Sequence, residues 1–243
     1  TGSRSDTNIL TRVDPVNKVV TMVSIPRDTK IELSGYGTQK FNAARSYGGV
    51  AGAIREASKL CGVEISHYVE IGFDGVMDLV DSIGGVEIDV PYYINDADAW
   101  VEIQPGYQTL SGWDALGFAR SRAYADGDFT RTSNQRLLIQ AVVNKVLALD
   151  PAAMQQAIRS GAKCVDTDMS LMDILGLAMS FKDGFTMYSA MVPSTTAYID
   201  GVSYVICDTQ GLAEMMKIVE AGGDPGTLQT TSGSVIGSSM GQQ

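Results

Sequence analysis

Two β-branched, apolar runs near the start of the chain, "TNILTRV" and "KVVTMVSI", are joined by the turn-forming "DPVN". Asp and Pro favour a tight reversal, while Val, Ile and Thr favour pleated chain. The pattern predicts a β-hairpin from Thr7 to Ile25. No other stretch constrains the chain as strongly, because a hairpin brings its two outer ends to the same end of a sheet. Those ends are "GSRSDT", with Arg4 and Asp6, and "SIPRDT", with Arg27.

Helical and strand patterns then alternate. "PRDTKIELSGYGTQKF" reads as a loop broken by Pro26, Gly35 and Gly37. "NAARSYGGVAGAIREASKLCG" reads as a helix capped by Asn42 and closed at Gly62. "HYVEIGF" is a strand, "DGVMDLVDSIGG" a short helix, and "VEIDVP" a strand ended by Pro91. Residues 92–107 read as a polar loop. Ser111 and Asp114 form an S-x-x-D capping box that starts a helix leading into "ARSRAYADGDFTRTSNQ". A long helix is expected from Thr130 to Leu149, and Pro151 opens another. "LMDILGLAMSF" is a further helix, "FTMYSAMV" and "VSYVI" are strands, and "DTQGLAEMMKIVEA" is the last helix. This order, without repeat or interior linker, predicts a single α/β domain to about Ala221, with a central mixed β-sheet flanked by helices. Residues 222–243, rich in Gly, Ser, Thr and Gln, read as a disordered tail.

Composition narrows the chemistry. The formal charge is −10, so nucleic acid is not an expected partner, and any bound anion must meet a local basic cluster. No run of eighteen apolar residues is present to span a bilayer. The opening "TGSRSD" reads as the start of a trimmed chain or of an ectodomain cut from its anchor. Cys61, Cys164 and Cys207 lack metal-ligand spacing and His67 is the one histidine, which argues against a zinc site. Cys164 and Cys207 form a disulfide in one reading, and all three are buried thiols in the other.

The basic cluster is in "ARSRAYADGDFTRTSNQ". Arg120 and Arg122 diverge on a helix but share a face in extended chain, so a helix ending there would turn both into one cleft. Arg131 and Gln135, four apart, share a face at the start of the next helix, where free N–H groups favour an anion. Arg136 is one step round and is expected to face elsewhere. Arginine grips phosphate bidentately, and several phosphate oxygens need several such forks. The competing reading is a set of solvated surface arginines in weak ion pairs.

Taken together, "GSRSDTNILTRVDPVNKVVTMVSIPRDTKIEL", "GYGTQKFNAARSYGG", "HYVEIGFDGVMDLVDSIGGVEIDVP", "GYQTLSGWDALGFARSRAYADGDFTRTSNQRLLIQAVVNKVL" and "AYIDGVSYVICD" resemble, in order, the LytR–CpsA–Psr (LCP) family. The resemblance implies a membrane-anchored protein with its domain on the extracellular face of the cell membrane, the anchor being outside this chain. It implies transfer of a glycopolymer, such as teichoic acid or capsular polysaccharide, from a polyprenyl-pyrophosphate carrier to peptidoglycan with formation of a phosphodiester. It implies Mg²⁺ as cofactor, and pyrophosphatase activity in some members. By position, Arg4, Arg27, Arg120, Arg122, Arg131 and Gln135 match the family's pyrophosphate-binding residues, with Arg27, Arg120, Arg122 and Arg131 catalytic. Asp6 matches a metal-binding aspartate. The family pattern also includes an upstream strand ending in a second metal-binding aspartate, which this chain begins too late to contain.

Asp28 and Asp128 are the candidates for a general base, each with a competing structural role: Asp28 as the partner of a neighbouring arginine, Asp128 as a helix cap or an orienter of Arg131. Tyr36, Lys40 and Asn42 are candidate substrate contacts, or a surface turn residue, a surface cation and a helix cap respectively. The apolar runs "LLIQAVVNKVLAL", "LMDILGLAMSF" and "VAGAIREASKL", with Met169, Met172 and Met179, line either an ordinary core or, as the resemblance implies, a lipid tunnel between sheet and helices. Two other functions stay open: hydrolysis of the lipid pyrophosphate, and non-enzymatic binding of it.

Overall fold

In the computed structural model, which describes residues 4–123 and 128–228, β1 (Ile9–Asp14) and β2 (Val19–Ser24) form the expected antiparallel hairpin, with Ile9 opposite Ser24. Its turn is built on Asp14. The carboxylate accepts from Val16 N, Asn17 N, Asn17 Nδ2 and the Arg12 guanidinium. Chiefly through the Asn17 backbone bond, then its side chain and Arg12, Asp14 is held at about 2, below an ordinary 3.8. A depressed carboxylate stabilises the fold above its unfolded pKa, and that contribution is lost as pH falls through the folded value. Asp14→Ala should therefore lower the urea midpoint at neutral pH, and the gap to wild type should close as pH falls from 3.8 to about 2. A gap that does not change over this window would exclude the turn carboxylate as its source.

The expected loop after β2 contains a second hairpin, β3 (Lys30–Leu33) with β4 (Gly37–Lys40). Ile31 and Leu33 point into the core while Glu32 faces solvent. This period-2 pattern is too short to stand out beside Pro26 and the glycines. Helix α1 (Asn42–Cys61) closes at Gly62 in the left-handed conformation, as expected. Its cap is Phe41 rather than Asn42, with no side-chain cap bond. The start is tied instead by Phe41 N to Thr29 O and by Asn42 N to Arg27 O. Tertiary backbone bonds thus satisfy donors that a side chain serves in an isolated helix.

The chain continues through β5 (Val69–Ile71), α2 (Phe73–Ser82), β6 (Val86–Val90), β7 (Ile94–Asp96), β8 (Val101–Ile103), β9 (Gly106–Leu110), α3 (Gly112–Arg120), α4 (Asp128–Ala148), α5 (Pro151–Gly161), β10 (Val165–Thr167) and α6 (Leu171–Ser180). These lie in one compact unit, His67–Gly184. Residues 92–107, expected to be a loop, hold β7, β8 and the start of β9. Their apolar residues Ile94, Val101 and Ile103 are buried in the unit's core with Val86, Ile88, Val90 and Phe118. Ser111 caps α3 through Asp114 N, Asp150 caps α5 above Pro151, and Ser170 and Asp173 make a full capping box on α6. Leu175 of α6 packs with Met154 and Ile158, whereas Met172 and Met179 are exposed.

The chain then supplies β11 (Thr186–Met191), β12 (Ser194–Ile199), β13 (Val202–Cys207) and α7 (Thr209–Glu220), which join the residues up to Ser66 in the other unit. β11 lies parallel to β2, so β1, β2 and β11 make a mixed sheet. β2 is its middle strand and is covered on both faces, which accounts for the unbroken run Val-Val-Thr-Met-Val-Ser. Leu212, Met215, Met216 and Val219 form the apolar stripe of α7. The mixed α/β class matches expectation. The expected tail begins at Gly222, yet Pro225 is buried, residues 225–227 form a 3₁₀ turn, and Leu228 packs on the core. Residues 229–243 of that tail lie outside the described residues.

Cys61, Cys164 and Cys207 are all free thiols, so the disulfide expectation is not met. Cys207 packs on the core cluster that contains Cys61, and burial pushes the Cys207 and Cys61 thiols up to about 11 and about 12 respectively. Such thiols hold their protons and react slowly. Alkylation of the folded protein at pH 8 should leave Cys61 unlabelled, and denaturation should expose three thiols without reductant. Recovery of fewer than three would contradict the free-thiol assignment.

Candidate active site

The candidate residues divide between the two units. In the unit built on the first hairpin, Ile25 N donates to Asn8 O, which carries the pairing past β2 and holds the two outer ends together. Arg27 NH1 donates to Asp6 Oδ1 at 2.6 Å, as the hairpin predicts for neighbouring ends. The Arg27 Nε is 3.7 Å from Asp28 Oδ2, and Lys40 Nζ is 3.0 Å from Asp28 Oδ1. Charges of alternating sign therefore run from Asp6 through Arg27 and Asp28 to Lys40. Pro26 sets the turn: its carbonyl accepts from both the amide and the hydroxyl of buried Thr29. Arg27 is thus fixed by its backbone at the start of α1 and by the Asp6 carboxylate at its tip, with the Asp28 charge near its Nε.

Arg4 is exposed. Asp28 is engaged by two cations, the competing role expected for it. Tyr36 stacks on Tyr47 of α1, with ring centroids 4.1 Å apart. Asn42 is a buried first-turn residue.

In the other unit α3 ends at Arg120, and Ser121 leaves the helix with ψ 140°. The helix thus ends between the two arginines, with Arg120 its last residue and Ser121 extended. The guanidinium carbon of Arg120 lies 4.5 Å from the centroid of Phe73, an exposed ring at the start of α2. The cation is oriented by the ring face. Arg122 is held by its backbone: its N–H donates to Asp96 Oδ2 at 2.8 Å, and Ser121 Oγ donates to the same oxygen at 2.9 Å. Asp96 Oδ1 accepts from Asp98 N and Ala99 N. Burial works to raise the Asp96 pKa, but these bonds, led by that from Arg122, outweigh it and hold the carboxyl below its ordinary value. Sequence reasoning missed Asp96, because it lay inside an apparent loop. Its spacing to the amides of Asp98 and Ala99 is the Asx-turn signal that marks it.

Arg131 and Gln135 share the buried face of α4, at 4% and 8% exposure. Gln135 Nε2 donates to Ala119 O and Asn134 Nδ2 to Phe118 O, so α4 satisfies the last carbonyls of α3. The Gln135 amide has two N–H donors, and this bond uses one. Arg136, one step round and expected to face elsewhere, is also buried, at 4%. Because α4 packs against α3, β6 and α5, more than one of its faces is covered. Burial lowers the Arg136 pKa to about 10. The side chain of Asp128 lies outside the described residues.

Among the described residues, no group of three His, Cys, Asp or Glu side chains is arranged to hold a metal. Asp6 is a half-exposed carboxylate with one oxygen on Arg27. Mg²⁺ retains waters and commonly takes one or two carboxylates plus substrate phosphates, so Asp6 fits as a partial ligand.

The LytR_cpsA_psr family model matches residues 1–221. The polyisoprenyl-teichoic acid–peptidoglycan teichoic acid transferase TagU of Enterococcus faecalis is 32% identical over 219 residues, 88% of this chain and 71% of that protein. The corresponding transferase TagV of Bacillus subtilis is 32% identical over 193 residues, 75% of this chain and 49% of that protein. The crystal structure of B. subtilis TagV superposes with a TM-score of 0.81 at 27% identity, covering 90% of this chain and 89% of the other. A structure of TagT bound to LIIa-WTA gives a TM-score of 0.76 at 26% identity, covering 90% and 85%.

Proposed function

Since the chain belongs to the LytR_cpsA_psr family, we propose that it moves a cell-wall glycopolymer from a polyprenyl-pyrophosphate carrier to peptidoglycan. The observation that carries this reading is the presentation of guanidinium groups at the ends of regular elements. Arg27 follows β2 beside Asp6, and Arg120 and Arg122 stand at the close of α3. The relatives TagU and TagV are named for the same transfer of teichoic acid.

Phosphoryl transfer asks a protein mainly for positioning and charge neutralisation. A peptidoglycan hydroxyl attacks the phosphorus that carries the glycopolymer. A new P–O bond forms, the bond from that phosphorus to the bridging pyrophosphate oxygen breaks, and lipid monophosphate leaves. Arg27 in one unit, and Arg120, Arg122 and Arg131 in the other, are each assigned to neutralising phosphate charge, including that growing on the leaving group. Gln135 donates to a phosphate oxygen with its second N–H. Arg4 contacts phosphate or orients Asp6. Asp6, with pyrophosphate oxygens, would hold Mg²⁺, which when bound supplies further neutralisation of phosphate charge. With a phosphate in place, Arg27 exchanges the Asp6 carboxylate for a phosphate oxygen, so the resting ion pair pre-orients the fork.

The prenyl tail needs apolar surface, and the exposed, adaptable Met172 and Met179 of α6 offer it. The substrates place the reaction at the outer face of the cell membrane. No described helix is long and apolar enough to cross a membrane, so attachment would come from an anchor elsewhere.

The test is to supply a radiolabelled lipid-pyrophosphate glycopolymer and Mg²⁺, with and without peptidoglycan. Label in the peptidoglycan supports transfer. Release of lipid monophosphate at the same rate without any labelled wall material identifies a hydrolase, and tight binding without turnover identifies a carrier-binding protein.

A further inference from the structure

The β7–β8 hairpin carries features that the phosphate chemistry does not use. Trp100, in its turn, has φ 57°, a left-handed conformation that strains a bulky side chain. Its ring is nonetheless 77% exposed, so the fold gains little from it. Trp113, at the start of α3, is 54% exposed, and its Nε1 donates to Trp100 O at 3.1 Å, which holds the turn. Trp100 borders an open cleft of 540 Å³ lined also by Asn95, Asp96, Ala97, Val101 and Glu102. Beside it Tyr93 Oη donates to Glu102 Oε1 at 2.8 Å, and Asn95 Nδ2 donates to Tyr93 Oη at 3.3 Å.

An aromatic face next to a fixed row of amide, phenol and carboxylate is the chemistry that binds a sugar. The apolar C–H face of a pyranose packs on the ring, and its hydroxyls meet the polar row. Asp96 connects the cleft to the phosphate-binding stretch. It lines the cleft and also accepts from Ser121 Oγ and Arg122 N.

We propose that this cleft is a glycan subsite for an uncharged, N-acetylated amino-sugar strand, the backbone of the acceptor. That assignment to the acceptor rests on the transferase reading. The charge of the cleft selects between the two polymers of the reaction. Asp96 and Glu102 are carboxylates in a chain of net charge −10, and they repel a polyol-phosphate donor chain. A neutral sugar hydroxyl can instead donate a charge-assisted hydrogen bond to Glu102, whose Oε1 accepts from Tyr93, while Asp96 contributes its charge.

Trp100 and Trp113 are the chain's two tryptophans, so intrinsic fluorescence reads this site directly. The probe is a chitotetraose titration of the chain without lipid carrier, with polyglycerol phosphate of equal length as the second arm. A saturable emission change with chitotetraose alone is expected, and the part carried by Trp100 is the part lost in Trp100→Gly, which keeps Trp113. Trp100→Gly suits the left-handed backbone, removes the ring and should weaken binding by calorimetry at least about tenfold. Glu102→Gln, which keeps the shape of the side chain, should weaken it too. No saturable change, undiminished affinity in Trp100→Gly, or equal binding of polyglycerol phosphate would each overturn the proposal. Since binding is read without turnover, failure to transfer polymer would sink the proposed reaction and leave the sugar site standing.

Discussion

Arg122→Ala should slow release of lipid monophosphate by roughly 10²- to 10³-fold, the scale seen when one preorganised donor to developing charge is removed. The variant should also remain folded. The Arg122 backbone N–H donates to Asp96 Oδ2, and alanine keeps that bond. The side chain itself is exposed. A melting temperature within a few degrees of wild type, together with the lost rate, would separate chemistry from stability. Arg122→Lys should recover only part of the rate, because an ammonium lacks the planar fork that holds two phosphate oxygens. Turnover equal to wild type in Arg122→Ala would remove Arg122 from the site. Arg131→Ala is a less clean probe, since Arg131 is buried at 4% and its loss would disturb packing as well.

Gly112→Ala should destabilise the protein by about 2–4 kcal/mol, in the range of severe overpacking. Gly112 is buried where α3 meets α2, and its N–H donates to Asp81 Oδ1 at 2.7 Å. An added Cβ would collide with the backbone carbonyl of Met77 and come within 2.8 Å of Asp81 Oδ2. A backbone oxygen within a helix has little room to yield, so α3 itself must shift, and with it Arg120 and Arg122. Activity should therefore fall along with the urea midpoint. Gly176→Ala supplies the contrast. This residue lies in α6 with nothing within 4 Å of an added Cβ. Alanine there should stabilise by about 0.5–1 kcal/mol, through lower unfolded-state entropy. Equal urea midpoints for the two variants would refute the steric account.

Features written in contiguous residues are legible in the sequence alone. The Asp14 turn needs only "DPVN", and the hairpin it makes brings Asp6 to Arg27. The stripe of α7 and the closure of α1 at Gly62 follow from local spacing and backbone freedom. The short strands β3, β4, β7 and β8 are not legible there. Each is three or four residues long, and each depends on a partner and on burial of one or two side chains. Asn42 resembles a cap in sequence, yet the amides of residues 41 and 42 find carbonyls at positions 29 and 27, a relation that no local pattern encodes.

The same division runs through the candidate site. The sequence by itself determined the family, the hairpin that joins Asp6 to Arg27, and the break after Arg120 that separates it from Arg122. These depend on turn chemistry and on residue order, which act over a few positions. Tertiary structure decided how each guanidinium is held. Arg120 lies over Phe73, Arg131 and Arg136 are both buried, and Gln135 is tied to the end of α3. It also decided that Asp96, 26 residues before Arg122, is the group that anchors its backbone. The physical reason is that burial and hydrogen-bond partners are set by segments distant in sequence, so the environment of a charge is a property of the packed chain.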